Sequence, residues 1–490
     1  MSISHLSVEL LQEIAYMIPS DHSQLRAACK YLNFAIAPLF FASVTLNVHQ
    51  PRLSLSMSHL EALATGETPW SQFARSLKIE RLSPFFRSEH KSNSDSSRWT
   101  PRKEEADWTA GTVAYLLGSL PLLEDFQFTF DCPNLNPPFD RLSGLRALSL
   151  TFPSGCPTAV MQSMAQIIFR SPNLASIKLS SRYAGDGDES PSCNDLLRGL
   201  SPTQPLHLTV LHIDWCRLQL DDATLPHLRS LKYFRFCSNP WATDDQASVE
   251  RIWDTLRHER IYLSGIHTQY IEEGLLPYLS SYSGIERLTI VSVGGCTESE
   301  STRRADQFFE CALPRHTQSL VQLSCFAMHE GRWSFGAHNA GVISQLHKLE
   351  SLRMSVNSVE TGYSVKRGGG RGMRKLIKIE TDPDDRNTVH LFLELITQLP
   401  SVRDAAILPA NAERLRNATC GNPIVSHKSS VITQIDAAVR EFIAPVPSSA
   451  VVLAGHNYYK MHDGSGKYHA QESANLSWPY SYDHLFRNTI

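Results

Sequence analysis

The sequence has no Cys-x-x-Cys pair among its ten cysteines, no N-terminal succession of basic, apolar and small residues, and no uncharged apolar run longer than Phe34 to Ala42. Cysteines scattered in this way suit a reducing compartment rather than a disulfide framework. Without a leader pattern the expected setting is intracellular, cytoplasmic or nuclear, so the sequons at Asn417 and Asn475 are expected to go unused. The apolar run is far too short for a bilayer and contains Pro38, which predicts no membrane partner. Charge of one sign is missing too. Lys and Arg number 46 against 49 Asp and Glu, a formal net of −3, which removes any global attraction to nucleic acid.

Catalytic signatures are also lacking. There is no Gly-x-Ser-x-Gly elbow and no His-Glu-x-x-His helix. Gly464-Ser465-Gly466-Lys467 ends like a phosphate-binding loop, but Met461 and Tyr468 stand where that loop needs Gly and a hydroxyl residue. His456, His462, Asp463 and His469 are spaced too widely for a compact metal site, and Cys325 with His329 makes no better one. The expectation is no enzyme, no cofactor and no metal. Lys366 to Lys375 is a single Arg-Gly run without aromatics and reads as a solvated loop rather than an RNA-binding segment.

What the chain does have begins at its N-terminus. Val8, Leu11, Ile14, Ala15 and Ile18 recur at helical spacing after Ser7, and Pro19-Ser20-Asp21 supplies a stop and a new helix start. A second helix carries Leu25, Ala28, Cys29, Leu32 and Ile36 on one face, before the alternating segment Val44 to Val48. A unit of roughly 40 residues seldom seals its own core, so part of its apolar face calls for a partner.

The order Leu6, Val8-Glu9-Leu10-Leu11, Ile14, Ile18-Pro19, Asp21, Leu25, Ala28-Cys29-Lys30, Leu32 resembles the F-box, the three-helix module that docks on the Skp adaptor of cullin-RING ubiquitin ligases. Ser7 stands where that family usually has Pro, and Ser is itself a good helix cap. The resemblance implies a module over 1–48 with adaptor contacts through Leu6, Val8, Leu10, Leu11, Ile14, Leu25, Cys29 and Leu32.

Past residue 70 one phrase recurs, an apolar residue followed three and five places later by two more. It occurs at Leu123/Phe126/Phe128, Leu145/Leu148/Leu150, Leu174/Ile177/Leu179, Leu208/Leu211/Ile213, Leu228/Leu231/Tyr233, Ile285/Leu288/Ile290, Leu320/Leu323/Cys325 and Leu349/Leu352/Met354. Weaker copies sit at Ala74/Leu77/Ile79, His258/Ile261/Leu263, Arg374/Ile377/Ile379 and Val402/Ala405/Ile407. Helical stretches lie between them, at Thr109 to Leu120, Ala159 to Phe169, Ser248 to His258, Tyr270 to Tyr282, Arg304 to Cys311 and His390 to Leu399. The phrase resembles the core of leucine-rich repeats, which implies an α/β solenoid over 60–445 with parallel strands on its concave side and helices on its convex side. A doubly wound parallel sheet is the alternative. It is disfavoured by the fixed rhythm and by the lack of a glycine-rich phosphate turn. The polar stretch 84–107 reads as an insertion, 366–375 as a loop, and 446–490 as a tail or terminal cap.

The residue between the last two apolar positions of each phrase faces away from the core. Lys78, Lys178, His212, Lys232, Arg353 and Lys378 fall in this row, with no acid among its members. They are the candidate substrate-binding residues, suited to an acidic or phosphorylated segment. An F-box-like module ahead of such repeats resembles the substrate-recognition subunits of SCF-type cullin-RING E3 ligases, in which the repeats hold the substrate and other subunits transfer ubiquitin. A protein-interaction scaffold outside any ligase is the alternative, its N-terminal helices only capping the repeats.

Overall fold

The computed structural model describes residues 6–48, 53–82, 111, 113–129, 139–152, 158–181, 192–237, 246–271, 274–291, 297–367, 374–378, 387–416, 422–461 and 465–471. The expected insertion at 84–107 and both sequons lie outside the described residues. The chain forms two compact units, Met1–Tyr262 and Leu263–Ile490.

In the first unit the N-terminal helices are α1 (Val8–Tyr16), α2 (His22–Ala28) and α3 (Lys30–Phe40), with a 3-10 turn at Pro19–Asp21 between the first two. Ser7 caps α1 by accepting from the Leu10 amide, and the Cys29 sulfur accepts from the Leu32 amide at the start of α3. Leu11, Ala15, Leu32, Ala35 and Ile36 form a small core, covered at its margin by Leu6, Val8, Leu25, Tyr31 and Leu39. Polar ties close it: Tyr31 donates to the Leu6 carbonyl and Gln12 to that of Ala35.

The sheet of this unit runs β1 (Ser43–Val48), β2 (Ser76–Leu82), β3 (Asp125–Thr129), β4 (Ala147–Phe152), β5 (Ser176–Ser181), β6 (Val210–Asp214) and β7 (Tyr233–Cys237), each parallel to the next in chain order. Alternation explains these strands. Leu148, Leu150, Ile177, Leu179, Leu211 and Ile213 are buried on one face, and the residues between them lie on the other. Helices Thr158–Phe169, Cys193–Leu197 and Leu225–Leu228 lie between successive strands, and Gln246–His258 follows β7. The strand β1 therefore belongs to the sheet, although the sequence places it in the N-terminal module.

The second unit repeats the scheme with β8 (Gly265–Thr268), β9 (Arg287–Val291), β10 (Gln322–Phe326) and β11 (Ser351–Val356), again parallel and in order. Next come β12 (Tyr363–Arg367) and β13 (Arg374–Lys378), an antiparallel pair forming a sheet of their own. β14 (Asp404–Pro409) returns to β11, and β15 (Val451–Ala454), β16 (Asn457–Met461) and β17 (Tyr468–Ala470) extend the sheet. Two sequence expectations are corrected here. The rhythm does not stop at 445, because Val452 and Ala454 are buried on a further parallel strand. The edges of the 366–375 segment are strand rather than loop, while 368–373 lies outside the described residues.

One hydrogen-bond motif fixes the register in both units. The carbonyl just before a strand accepts from two consecutive amides at the start of the next strand. Arg75 thus receives Glu124 and Asp125, Arg146 receives Ala175 and Ser176, Ala175 receives Thr209 and Val210, and Thr209 receives Lys232 and Tyr233. In the second unit Ser264 receives Glu286 and Arg287, Val321 receives Glu350 and Ser351, and Glu350 receives Arg403 and Asp404. By this criterion Lys232 is equivalent to Thr209, not to His212.

Candidate functional site

Two surfaces bear on function, and they are built by different elements. The first is the outer face of α1. Leu11 is 3% exposed and faces the small core, whereas Leu10 and Ile14 are each 49% exposed and Met17 is 79% exposed. Leu10, Ile14 and Met17 follow helical spacing and make an apolar stripe open to water, and Ile18, also exposed, follows the helix end. Phe34 on α3 and Tyr16 are exposed too. Isolated exposed apolar residues are ordinary, whereas these four lie together at one end of a short helix.

The eight expected adaptor contacts therefore divide. Leu10, Ile14 and Cys29 are exposed; Leu6, Val8 and Leu25 are half-buried at the margin of the small core. Leu11 and Leu32 are core residues, so their expected role as surface contacts is corrected to a packing role. Met17, Phe34 and Tyr16 were not foreseen. Met17 and Ile18 continue the spacing of Leu10 and Ile14, a signal present in the sequence.

The second surface is the sheet face opposite the core. In the first unit the strand register aligns Lys78, Gln127, Ser149, Lys178, His212 and Arg235 in one row. Arg235 occupies the place expected for Lys232, which is exposed and precedes β7. In the second unit the row reads His267, Thr289, Ser324, Arg353, Ala406. Lys378 is not in it; it lies on the β12–β13 hairpin and pairs with Glu441 at 2.7 Å. The copy expected at His258/Ile261/Leu263 is shifted as well, since its strand begins at Gly265 and puts His267 rather than Tyr262 in the row.

Acids neutralise most of these cations. Lys78 pairs with Glu80 at 2.7 Å, Arg235 with Asp214 at 2.8 Å, and Arg353 with Asp404 at 2.7 Å. Asp404 also accepts from the Ser351 hydroxyl at 2.9 Å. Lys178 alone among the row's cations carries no ion pair and no hydrogen bond among the described residues. Next to it His212 is only 8% exposed, and its Nε2 has no hydrogen-bond partner among the described residues. Burial, reinforced by Lys178 and Arg235, holds the His212 imidazole down to about 3, so it is neutral at physiological pH.

The remaining sequence candidates fall into structural roles. Cys325 is buried in the second unit's core, with its thiol against the Trp333 carbonyl, and burial pushes it up to about 12. Gly466, at φ +63°, sits in a turn whose carbonyl accepts from the Ala444 amide, and the chain then enters β17 rather than a helix. Among the described residues no group of three or more His, Cys, Asp or Glu side chains gathers as a metal site. None of the described helices is long and apolar enough to cross a membrane. No protein-family model matches the chain, and no curated protein matches it either.

Proposed function

We propose that this chain is the substrate-recognition subunit of an SCF-type cullin-RING E3 ubiquitin ligase, its N-terminal helices docking on a Skp-type adaptor and its strand-and-helix repeats holding a protein substrate. The observation that carries the reading is the stripe of Leu10, Ile14, Met17 and Ile18, which faces outward on a helical unit that already has its own core. A helix whose second apolar face is left in water is suited to lie against another protein. The F-box resemblance names the partner class. On this reading the chain does no covalent chemistry. It raises the effective concentration of substrate lysines beside a charged carrier enzyme held by other subunits.

The test is a titration of the full chain with purified Skp-type adaptor. Leu10→Ala with Ile14→Ala is expected to weaken binding by several kcal/mol, as central apolar anchors often contribute about 2 kcal/mol each. Thermal unfolding of the double variant should be nearly unchanged, because both side chains are half-exposed in the free chain. No adaptor binding by the unaltered chain would favour the scaffold reading, in which these helices serve the repeats alone.

A further inference from the structure

We propose that Met17, at the end of α1, is a site of reversible oxidation by peroxide, and that its sulfoxide blocks docking of the Skp-type adaptor. This deepens the receptor reading by giving it a means of regulation, and it rests on that reading for the identity of the adaptor. Two observations single out Met17. The first is access. Met17 is 79% exposed and Met328 37%, whereas Met161, Met164, Met354 and Met461 are buried. The second is place. Leu10, Ile14 and Met17 stand at i, i+4 and i+7, so they share the face of α1 that is open to water. The small core of the N-terminal helices is built without Met17, whose backbone N–H donates to the Ile14 carbonyl at 3.2 Å and fixes the helix end.

A thioether in water and one in a core meet an oxidant differently, because the sulfur lone pair must reach the peroxide oxygen. In the step itself the sulfur attacks one oxygen of a hydroperoxide. The S–O bond forms as the O–O bond breaks, and the displaced oxygen leaves, protonated, as water or an alcohol. The sulfur gives up two electrons and the peroxide takes them. The product is a polar, chiral sulfoxide in place of a soft apolar side chain. On the free chain, water satisfies the new oxygen. Pressed with Leu10 and Ile14 against an adaptor's apolar groove, it is an acceptor without a donor, and such a group opposes binding. Docking and oxidation thus exclude each other: a bound adaptor covers the sulfur, and an oxidised sulfur keeps the adaptor off. The buried methionines serve packing instead, as where the Met461 sulfur accepts the Ser448 amide at 3.3 Å.

The experiment uses the full chain, dilute hydrogen peroxide and purified Skp-type adaptor, with thiols restored by dithiothreitol before each titration. Peptide mass mapping is expected to find Met17 oxidised faster than Met161, Met164, Met328, Met354 and Met461. Adaptor affinity of the treated chain should fall at least about tenfold with circular dichroism unchanged, and return after incubation with methionine sulfoxide reductase. Met17→Leu, whatever its own starting affinity, should lose none of it on the same treatment. Adaptor added before peroxide should slow oxidation of Met17 and leave that of Met328 as it was. Full affinity in a chain oxidised at Met17 overturns the proposal. An equal loss in treated Met17→Leu overturns it as well and moves the effect to another group, such as the exposed Cys29 thiol. An untreated chain that binds no adaptor overturns the receptor reading itself, and this regulation with it.

Discussion

Burial holds a set of histidines in this fold below their ordinary range: His212 and His227 in the first unit, His316, His329, His338 and His390 in the second. Two of them show why they were kept as neutral rings. His316 accepts the Ile285 amide at Nδ1, which leaves Nε2–H to donate to the Leu279 carbonyl at 3.0 Å, and His227 accepts the Leu206 amide at Nδ1. A protonated ring would lose its acceptor in each case. For a base lowered in the folded state, the unfolded chain binds the extra proton first, so stability is full above the unfolded value near 6.5 and falls as pH drops below it. With His212 held near 3, its share alone is about 2 kcal/mol lost by pH 5. Urea unfolding is thus expected to show a lower midpoint at pH 5 than at pH 7, with a smaller drop in His212→Gln. A flat profile over that interval would mean these rings titrate normally in the folded chain.

At the scale of elements, the terminal hairpin shows how a segment without the repeat phrase is still locked in place. Helix Asn422–Glu441 presents Asp436 to the hairpin, where it accepts from Asn457 at 2.9 Å and from the Tyr459 hydroxyl, while Arg440 pairs with it from the same helix. Gly455 makes the turn between β15 and β16 at φ +58°, and a Cβ there would meet the Ile432 methyl at 2.6 Å. Gly455→Ala should therefore cost about 1–3 kcal/mol in thermal or urea unfolding, part of it recovered by adding Ile432→Ala. Full stability in the single variant would show that helix and turn do not touch as described. Leu11→Ala should likewise destabilise the N-terminal helices by about 3 kcal/mol where Leu10→Ala does not, read by hydrogen exchange of α1 and α3. Strands β3 to β6 and β9 to β11 are legible because their buried face is nearly all Leu, Ile and Phe at fixed spacing. Lys232 is displaced from the row because Leu228, Leu231 and Tyr233 imitate the phrase three residues early, while Phe234 and Phe236 are the residues actually buried. Arg374 and Ile377, from another such phrase, lie on a hairpin whose cross-strand partner no local pattern reveals. The helix at 422–441 is not legible since its buried Val431, Ile435, Ala438 and Val439 lie among Ser, Thr and Lys. The row at Lys178 and His212 could be read from the sequence, but not which of its cations were already paired, since Asp214 stands two places after the row on its strand and Asp404 two places before it, each meeting an Arg of a neighbouring strand.

For the whole molecule, the consequential property is that sheet neighbours are chain neighbours. Within the first unit β1 to β7 pair in sequence order, and within the second β8 to β11 do the same before β14 and β15 join. Each strand then shares its buried face mainly with the repeat before and the repeat after, and the doubled amide contacts on a single carbonyl link only successive repeats. Stability in such an arrangement is a chain of local terms, so damage at one repeat should fade with distance along the sheet rather than lower every strand alike. Leu352 is fully buried near the start of β11, between Leu323 of β10 and Ala405 of β14. Leu352→Ala leaves a cavity worth about 2–5 kcal/mol. Under native conditions its amide exchange is expected to rise most in β10, β11 and β14, less in β9 and β15, and least in β8. Equal acceleration over all of these strands would show that the second unit opens as one cooperative block, and the repeat-by-repeat account of its stability would have to be abandoned.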